Sequence, residues 1–208
     1  MAKVIQQVAV QEDLAYSEVL TTANEPHEKT AVFAGARPQA LPCLWDKTHK
    51  FFNRMQGYCN GYVEYLIARG FTRFIVGGNL GSEMAFANAV IAAKHTFPKV
   101  TLAVILPYAG YEKLWMEPSK AQFHSLLEQA DETIYAEKAM PTPKGLDAAK
   151  HSVACLINRN AIAAKEADLV ILFGNDKPVD AMKAASSGKR TVAVSFNDGG
   201  SFTAAEVK

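Results

Sequence analysis

A glycine-rich turn followed by an acidic residue is the first feature of this sequence that could support chemistry. Residues 74–83 read FIVGGNLGSE, where three glycines precede Ser82 and Glu83. Glycine lacks a Cβ, so backbone N–H groups in such a turn can approach a ligand closely, and a helix capped by Ser82 would direct its positive dipole end there. The spacing matches neither the dinucleotide fingerprint G-x-G-x-x-G nor the P-loop pattern. The turn alone therefore fits an anion cradle and a plain strand-to-helix turn equally well.

Glu83 has two interpretations at this position. In the first turn of a helix, its carboxylate would interact favourably with the helix dipole. As a functional group, it would accept hydrogen bonds from sugar hydroxyls or act as a general base. A carboxylate does not help to bind phosphate, so a ligand that contains both a sugar and a phosphate fits this turn best.

Other polar and aromatic residues also follow predicted strands. Arg37 could hold a phosphate or carboxylate through its guanidinium. The aromatic side chains Tyr108, Tyr111 and Trp115 could stack on a nucleobase or cap the core. Arg159 and its neighbour are polar on a helix where an apolar stripe is expected. The residues predicted to form the ligand site are Gly35, Arg37, Pro38, Gly77, Gly78, Asn79, Leu80, Gly81, Ser82, Glu83, Pro107, Tyr108, Trp115, Arg159, Asn160 and Gly174.

An alternation of strands and helices would position these residues. The apolar runs predict strands at 30–34, 73–76, 100–106, 132–136, 168–173 and 190–196, and helices at about 44–69, 82–97, 119–130, 147–167 and 179–187. Strands that are continuously apolar are typical of a parallel sheet covered on both faces. Right-handed crossovers then give a Rossmann-like, doubly wound, mostly parallel α/β sheet with helices on both faces. Ligands bind such sheets at the carboxyl ends of the strands, which is where the candidate residues fall.

Composition narrows the classes of function. A net charge of +1 over 208 residues predicts no general attraction to nucleic acid or to a membrane. The sequence contains no signal-peptide pattern and no apolar run of about 20 residues, so a cytoplasmic protein is expected. Its three cysteines predict free thiols, and its five histidines show no metal-site spacing. We therefore expect no metal and no cofactor.

Residues 1–29 differ from the rest of the chain. They carry short apolar clusters and then a polar stretch. We interpret them as an N-terminal extension, a candidate docking or oligomerisation arm, ahead of a ligand-binding domain at 30–208.

Four segments together resemble a known family. AGARP, VGGNLGSEMAFA, AVILPYAGYEKLWMEPSKAQFHSLLEQAD and NRNAIAAKEADLVILF are similar, in order and spacing over about residues 30–196, to the bacterial YpsA-like proteins. These belong to the SLOG superfamily, a Rossmann-like group that also holds the DNA-processing protein DprA and the LOG cytokinin-activating enzymes. The resemblance implies a homo-oligomer and a nucleotide or nucleotide-derived ligand at the strand ends. It places that ligand against Gly78, Leu80, Gly81 and Glu83, with Gly35 and Arg37 opposite.

One departure from the superfamily leaves enzymatic activity uncertain. LOG phosphoribohydrolases carry the signature P-G-G-x-G-T-x-x-E after a late strand, whereas residues 174–181 here read GNDKPVDA. Three functions stay open. The preferred one is a sensor or sequestering protein for an ADP-ribose-like small molecule. The second is an N-glycosidase or phosphoribohydrolase with Glu83 as acid/base and Arg37 or Arg159 holding phosphate, and the third is a regulatory interaction protein in cell division or stress.

Overall fold

The structure, a computed structural model, describes residues 28–207. Strands and helices alternate along this part of the chain. The strands are β1 (Lys29–Gly35), β2 (Phe71–Val76), β3 (Thr101–Leu106), β4 (Glu132–Tyr135), β5 (Leu169–Phe173), β6 (Thr191–Phe196) and β7 (Phe202–Val207). The helices are α1 (Lys50–Ile67), α2 (Ser82–Lys94), α3 (Glu117–Gln129), α4 (Ala136–Ala139), α5 (Ala148–Glu166) and α6 (Lys177–Ala185), with a short 3-10 helix at Pro38–Ala40. Nearly all of the predicted N-terminal extension lies outside the described residues.

The strands form one sheet in the order β4-β3-β2-β1-β5-β6-β7. Every neighbouring pair is parallel except β6 and β7. The predicted doubly wound, mostly parallel sheet is thus confirmed. Strands β2, β3 and β4 extend the sheet on one side of β1, whereas β5, β6 and β7 extend it on the other side. The strand order therefore reverses at β1. The carboxyl ends of β1, β2 and β5 therefore flank the topological switch point.

Helices cover both faces of the sheet, as the side chains of β1, which point alternately to one face and the other, show. Phe33 packs with α1, α2 and α3 in the larger core, and its ring stacks on Phe86 of α2 at a centroid distance of 4.3 Å. Val32 and Ala34 point the other way, into a smaller core with α5 and α6. Burial on both faces explains why these strands read as unbroken apolar runs. Each fully buried Phe or Val side chain contributes roughly 1.5–3 kcal/mol.

Some boundaries differ from the predicted ones. Helix α1 begins at Lys50 rather than near residue 44, because Leu44 adopts a left-handed φ of 48° and the His49 side chain caps the helix by accepting from the Phe51 N–H. The predicted N-cap of α2 was wrong. Gly81 occupies the cap, with φ 95° and ψ −129°, and Ser82 is the first helical residue.

Two elements were not predicted. Strand β7 runs antiparallel to β6 at the edge of the sheet, and its residues are half-buried or exposed. Its sequence, FTAAEV, has no apolar run because one side of an edge strand remains in solvent. Helix α4 is a single turn of four residues, too short to show a helical period.

Candidate functional site

The loops after β1 and β2 are joined by direct hydrogen bonds at the switch point. The carbonyl oxygen of Ala36 accepts from the backbone N–H and from the hydroxyl of Ser82, at 3.1 and 2.9 Å. The loop after β3 joins them through Tyr111, whose hydroxyl donates to Asn79 Oδ1 at 3.0 Å. The structure thus brings the predicted glycine turn, the loop that follows Gly35 and the aromatic loop to one edge of the sheet.

Glu83 is buried and lies at the centre of this arrangement. Only 2% of the residue is exposed. Its Oε2 accepts from the backbone N–H groups of Gly77 and Asn79, each at 3.0 Å, and its Oε1 accepts from Asn79 Nδ2 at 2.7 Å and from the Gly35 N–H at 3.4 Å. A carboxylate has about four acceptor sites, so these four donors occupy it. The N–H groups of Gly77 and Asn79, which the sequence predicted to face a ligand, face Glu83 instead.

Two glycines of the turn are required by space as well as by backbone conformation. Gly78 has φ 73°, and a Cβ there would lie 2.8 Å from the Leu106 side chain. Gly81 has φ 95°, and a Cβ there would lie 2.6 Å from the Ala36 carbonyl oxygen. L-residues rarely adopt such φ values, and neither gap admits a methyl group. The glycines therefore let the turn close against β1 and β3.

Arg37 extends across the switch point to the loop after β5. Its Nε and Nη2 donate to the two carboxylate oxygens of Asp176, at 2.7 and 3.1 Å. Asp176 also caps α6 by accepting from the Lys177 N–H at 2.7 Å. The hydrogen bonds from Arg37 hold the pKa of the Asp176 carboxyl below its ordinary value. The Arg37 side chain remains 45% exposed, so part of its guanidinium still faces solvent.

Arg159 reaches the same edge from the opposite face of the sheet. Only 5% of it is exposed, and its Nε and Nη2 donate to Oδ1 of Asn160, at 3.1 and 3.0 Å. Its Nη1 lies 3.5 Å from the Gly77 carbonyl oxygen. Within residues 28–207, no carboxylate forms an ion pair with Arg159. A buried guanidinium with only neutral hydrogen-bond partners is unusual, because isolated buried charge is costly.

The aromatic residues after β3 form a chain that leads from solvent to the core. Tyr108, Tyr111, Trp115 and Phe123 pack edge to face in succession, with centroid distances of 5.2–5.8 Å. Trp115 thus caps the buried Phe123, which was one of its two predicted roles, and Tyr108 is half-buried at the outer end. Burial raises the pKa of the Tyr111 hydroxyl, and the charges of Arg159, Glu83 and Arg37 all act on it. Tyr111 and Glu83 share Asn79 as a hydrogen-bond partner, so the aromatic loop is held beside the buried carboxylate.

The remaining predicted residues support the loops. Pro38 begins the 3-10 helix after β1, Leu80 packs on the larger core, and the carbonyl of buried Pro107 accepts from the Glu137 N–H at 3.0 Å. Gly174 ends β5 with φ 81°. Asp176 was not predicted, although Asp-Lys-Pro is a recognisable helix start. Its pairing with Arg37, 139 residues away, has no sequence signal.

Comparison with known proteins identifies the family. The family model YpsA, described as the YspA SLOG family, matches residues 31–150, more than half of the chain. The chain belongs to the YpsA SLOG family. This confirms the resemblance noted in the sequence. Membership suggests a nucleotide-related function and specifies no ligand.

Curated relatives within the YpsA SLOG family match over about half their length. A UPF0398 protein of Halalkalibacterium halodurans is 32% identical over 114 residues, 54% of this chain and 56% of that protein. The UPF0398 protein YpsA of Bacillus subtilis is 37% identical over 103 residues, 50% of this chain and 57% of that protein. Among solved structures, that of TM1055 aligns with a TM-score of 0.47 at 16% identity, over 78% of this chain and 72% of the other.

Other types of site find no support in the described part of the chain. Its residues include no group of three or more His, Cys, Asp or Glu side chains arranged to hold a metal ion. Among the helices at 28–207, none is long and apolar enough to cross a membrane. All three cysteines are buried free thiols, as predicted.

Proposed function

We propose that this protein binds a nucleotide or nucleotide-derived small molecule, of the ADP-ribose type, at the carboxyl edge of its sheet, and acts as a sensor or sequestering protein. The observation that carries the proposal is the hydrogen-bonded contact of the loops after β1, β2 and β3, which brings Arg37, Glu83 and Tyr111 to the point where the strand order reverses, with Arg159 Nη1 3.5 Å from the Gly77 carbonyl oxygen. Ligands of open α/β sheets bind at this point. Two loops supply Arg37 and Tyr111, and two helices on opposite faces of the sheet, α2 and α5, supply Glu83 and Arg159.

The chemistry of the exposed groups suits a nucleotide. The solvent-facing part of Arg37 can donate to a phosphate, since Asp176 engages only its Nε and Nη2. Half-buried Tyr108 offers a ring edge and face to a base, next to Tyr111. The inward N–H groups of the glycine turn donate to Glu83 and are not available to a ligand, so Arg37 rather than the turn binds the phosphate.

The hydrolase alternative gains no support from the geometry of Glu83. A general acid/base must reach the proton that it transfers, and all four acceptor sites of this carboxylate already face internal donors. We therefore favour binding over cleavage.

Thermal denaturation with AMP, ADP-ribose and NAD, each at 1 mM, tests the proposal. A ligand with a dissociation constant of 10 μM would stabilise the folded state by roughly 2.7 kcal/mol, which raises the Tm of a protein of this size by roughly 5–10 °C. Arg37→Met should weaken binding of the active ligand about tenfold, whereas Lys47→Met, an exposed cation in the segment before α1, should not. Absence of any shift with all three compounds would refute nucleotide binding.

A further inference from the structure

A small cavity lies between Glu83 and Arg159 at the carboxyl end of β2. Glu83 enters it from α2, and Arg159 enters from α5 on the other face of the sheet. Apart from these two residues and Gly77, the lining is apolar and includes Ile105, Ala163 and Met182. The polar groups are thus gathered at one end of an otherwise apolar space.

The volume of the cavity limits what can enter it. It offers about 10 Å³ to the centre of a water-sized sphere. One water molecule needs roughly 10–15 Å³ by the same measure. A single oxygen atom with its hydrogens therefore fits, whereas a phosphate group or an aromatic ring does not.

The two charged groups specify the chemistry of that oxygen. A guanidinium only donates hydrogen bonds, and a carboxylate only accepts them. Arg159 Nη1 and Glu83 Oε2 lie 3.1 and 3.2 Å from the point where a Cβ of Gly77 would stand, yet the two form none of the ion pairs found in residues 28–207. Because four internal donors already occupy Glu83, a group at this point must accept from Arg159 and donate to the Gly77 carbonyl oxygen. Water and hydroxyl groups do both, whereas a phosphate oxygen at neutral pH only accepts.

We propose that this cavity is a hydroxyl subsite. In the free protein it holds one water molecule, which accepts from Arg159 and donates to the Gly77 carbonyl oxygen. In the complex a sugar hydroxyl of the ligand replaces that water, and this second step rests on the proposed function. In this assignment Arg159 binds the sugar of the ligand and Arg37 binds its phosphate.

Crystallography of the ligand-free protein at about 1.5 Å tests the first step. We expect one water within roughly 2.7–3.2 Å of Arg159 Nη1 and of the Gly77 carbonyl oxygen. Gly77→Ala would place a methyl group in the gap and expel this water, without a left-handed φ to strain the backbone. The matched control, Gly61→Ala on α1, has no atom within 4 Å of its new methyl and should keep the water. A dry cavity in the wild type overturns the proposal.

Calorimetric titration with AMP, 2′-deoxy-AMP and 3′-deoxy-AMP tests the second step. The wild type and Gly61→Ala should bind AMP at least tenfold more tightly than one of the two deoxy compounds, because the missing hydroxyl leaves buried polar groups without a partner. Gly77→Ala should bind AMP and that compound within twofold of each other. Equal affinity of the wild type for all three compounds overturns the hydroxyl assignment, even if Gly77→Ala does not fold. If the wild type binds none of them, the sugar-hydroxyl step is overturned for AMP, the thermal shifts with ADP-ribose and NAD decide the proposed function, and the diffraction result decides whether the cavity holds water.

Discussion

Replacing Glu83 by Gln measures how much the buried carboxylate contributes to stability. Gln keeps the shape of the side chain but replaces one oxygen by an NH2 group, which can only donate. Whichever way the amide turns, two of the four donors that face Glu83 lose their acceptor. Each buried unsatisfied donor costs roughly 1–3 kcal/mol, so we expect the two to lower the free energy of unfolding by roughly 2–6 kcal/mol. In urea this lowers the midpoint by roughly 1–3 M.

The matched control is Glu117→Gln. Glu117 also lies in the first turn of a helix, α3, but its side chain is 84% exposed and pairs only with Lys120. Both changes remove a charge from a helix N-terminus, so their difference isolates the buried hydrogen bonds from the dipole effect. We expect the control to unfold close to the wild-type midpoint. If Glu83→Gln shifts the midpoint no more than Glu117→Gln does, the hydrogen bonds to Glu83 do not hold the loop, and the reasoning is refuted.

Three further predictions concern the loops and the thiols. Gly81→Ala should lower the free energy of unfolding, measured in urea titrations, by at least about 2 kcal/mol, because φ is 95° and the new methyl meets the Ala36 carbonyl oxygen. The control Gly61→Ala, in the interior of α1, should raise it by roughly 0.5–1 kcal/mol. Asp176→Asn should keep the helix cap but lose up to about 1 kcal/mol at pH 7, since the exposed half of Arg37 screens the pair. The pKa of Asp176 is depressed below the ordinary 3.8, so the stability from this pair is complete above that pH and decreases as pH falls from 3.8 towards the lower folded pKa. A difference from wild type that stays constant as pH falls below 3.8 would contradict this. All three cysteines should react slowly with a thiol reagent at pH 8 in the native state and at once in denaturant. Burial raises the pKa of each thiol, to about 12 for Cys59, so little reactive thiolate is present. Fast labelling of the native protein would count against the buried placement.

The fold could be read from the sequence because most of its strands are buried on both faces. Runs such as residues 100–106 are apolar except at Thr101, and some helix starts carry recognisable caps, as at Asp147. Strand β7 escaped prediction because it is stabilised by its pairing with β6 rather than by its own composition. The start of α1 was predicted too early because the residues before Lys50 are compatible with a helix. The left-handed backbone conformation of Leu44, which prevents an earlier start, leaves no signal in the sequence.

The candidate site was only partly predictable, for a different reason. The switch-point rule gathered the correct loops, but it does not state which polar group each side chain will meet. Glu83 accepts from Gly35, 48 positions earlier, and Arg37 pairs with Asp176, 139 positions later. Such partners are set by the strand order, which local patterns do not encode. The glycine turn, for which the sequence left an anion cradle and a plain turn equally open, directs the N–H groups of Gly77 and Asn79 to Glu83.

The order of the strands also determines when the site can first exist during protein synthesis. Strands β1 to β4 and the glycine turn leave the ribosome first, and they already contain Gly35, Arg37 and Glu83. Strand β5, which pairs with β1, follows only after α5, and Asp176 comes later still. At about 5–20 residues per second, Asp176 is made roughly 7–28 s after Arg37, 139 positions earlier. A nascent chain released before residue 169 would carry Arg37 and Glu83 but not β5, so that side of β1 would be open to pairing with other chains.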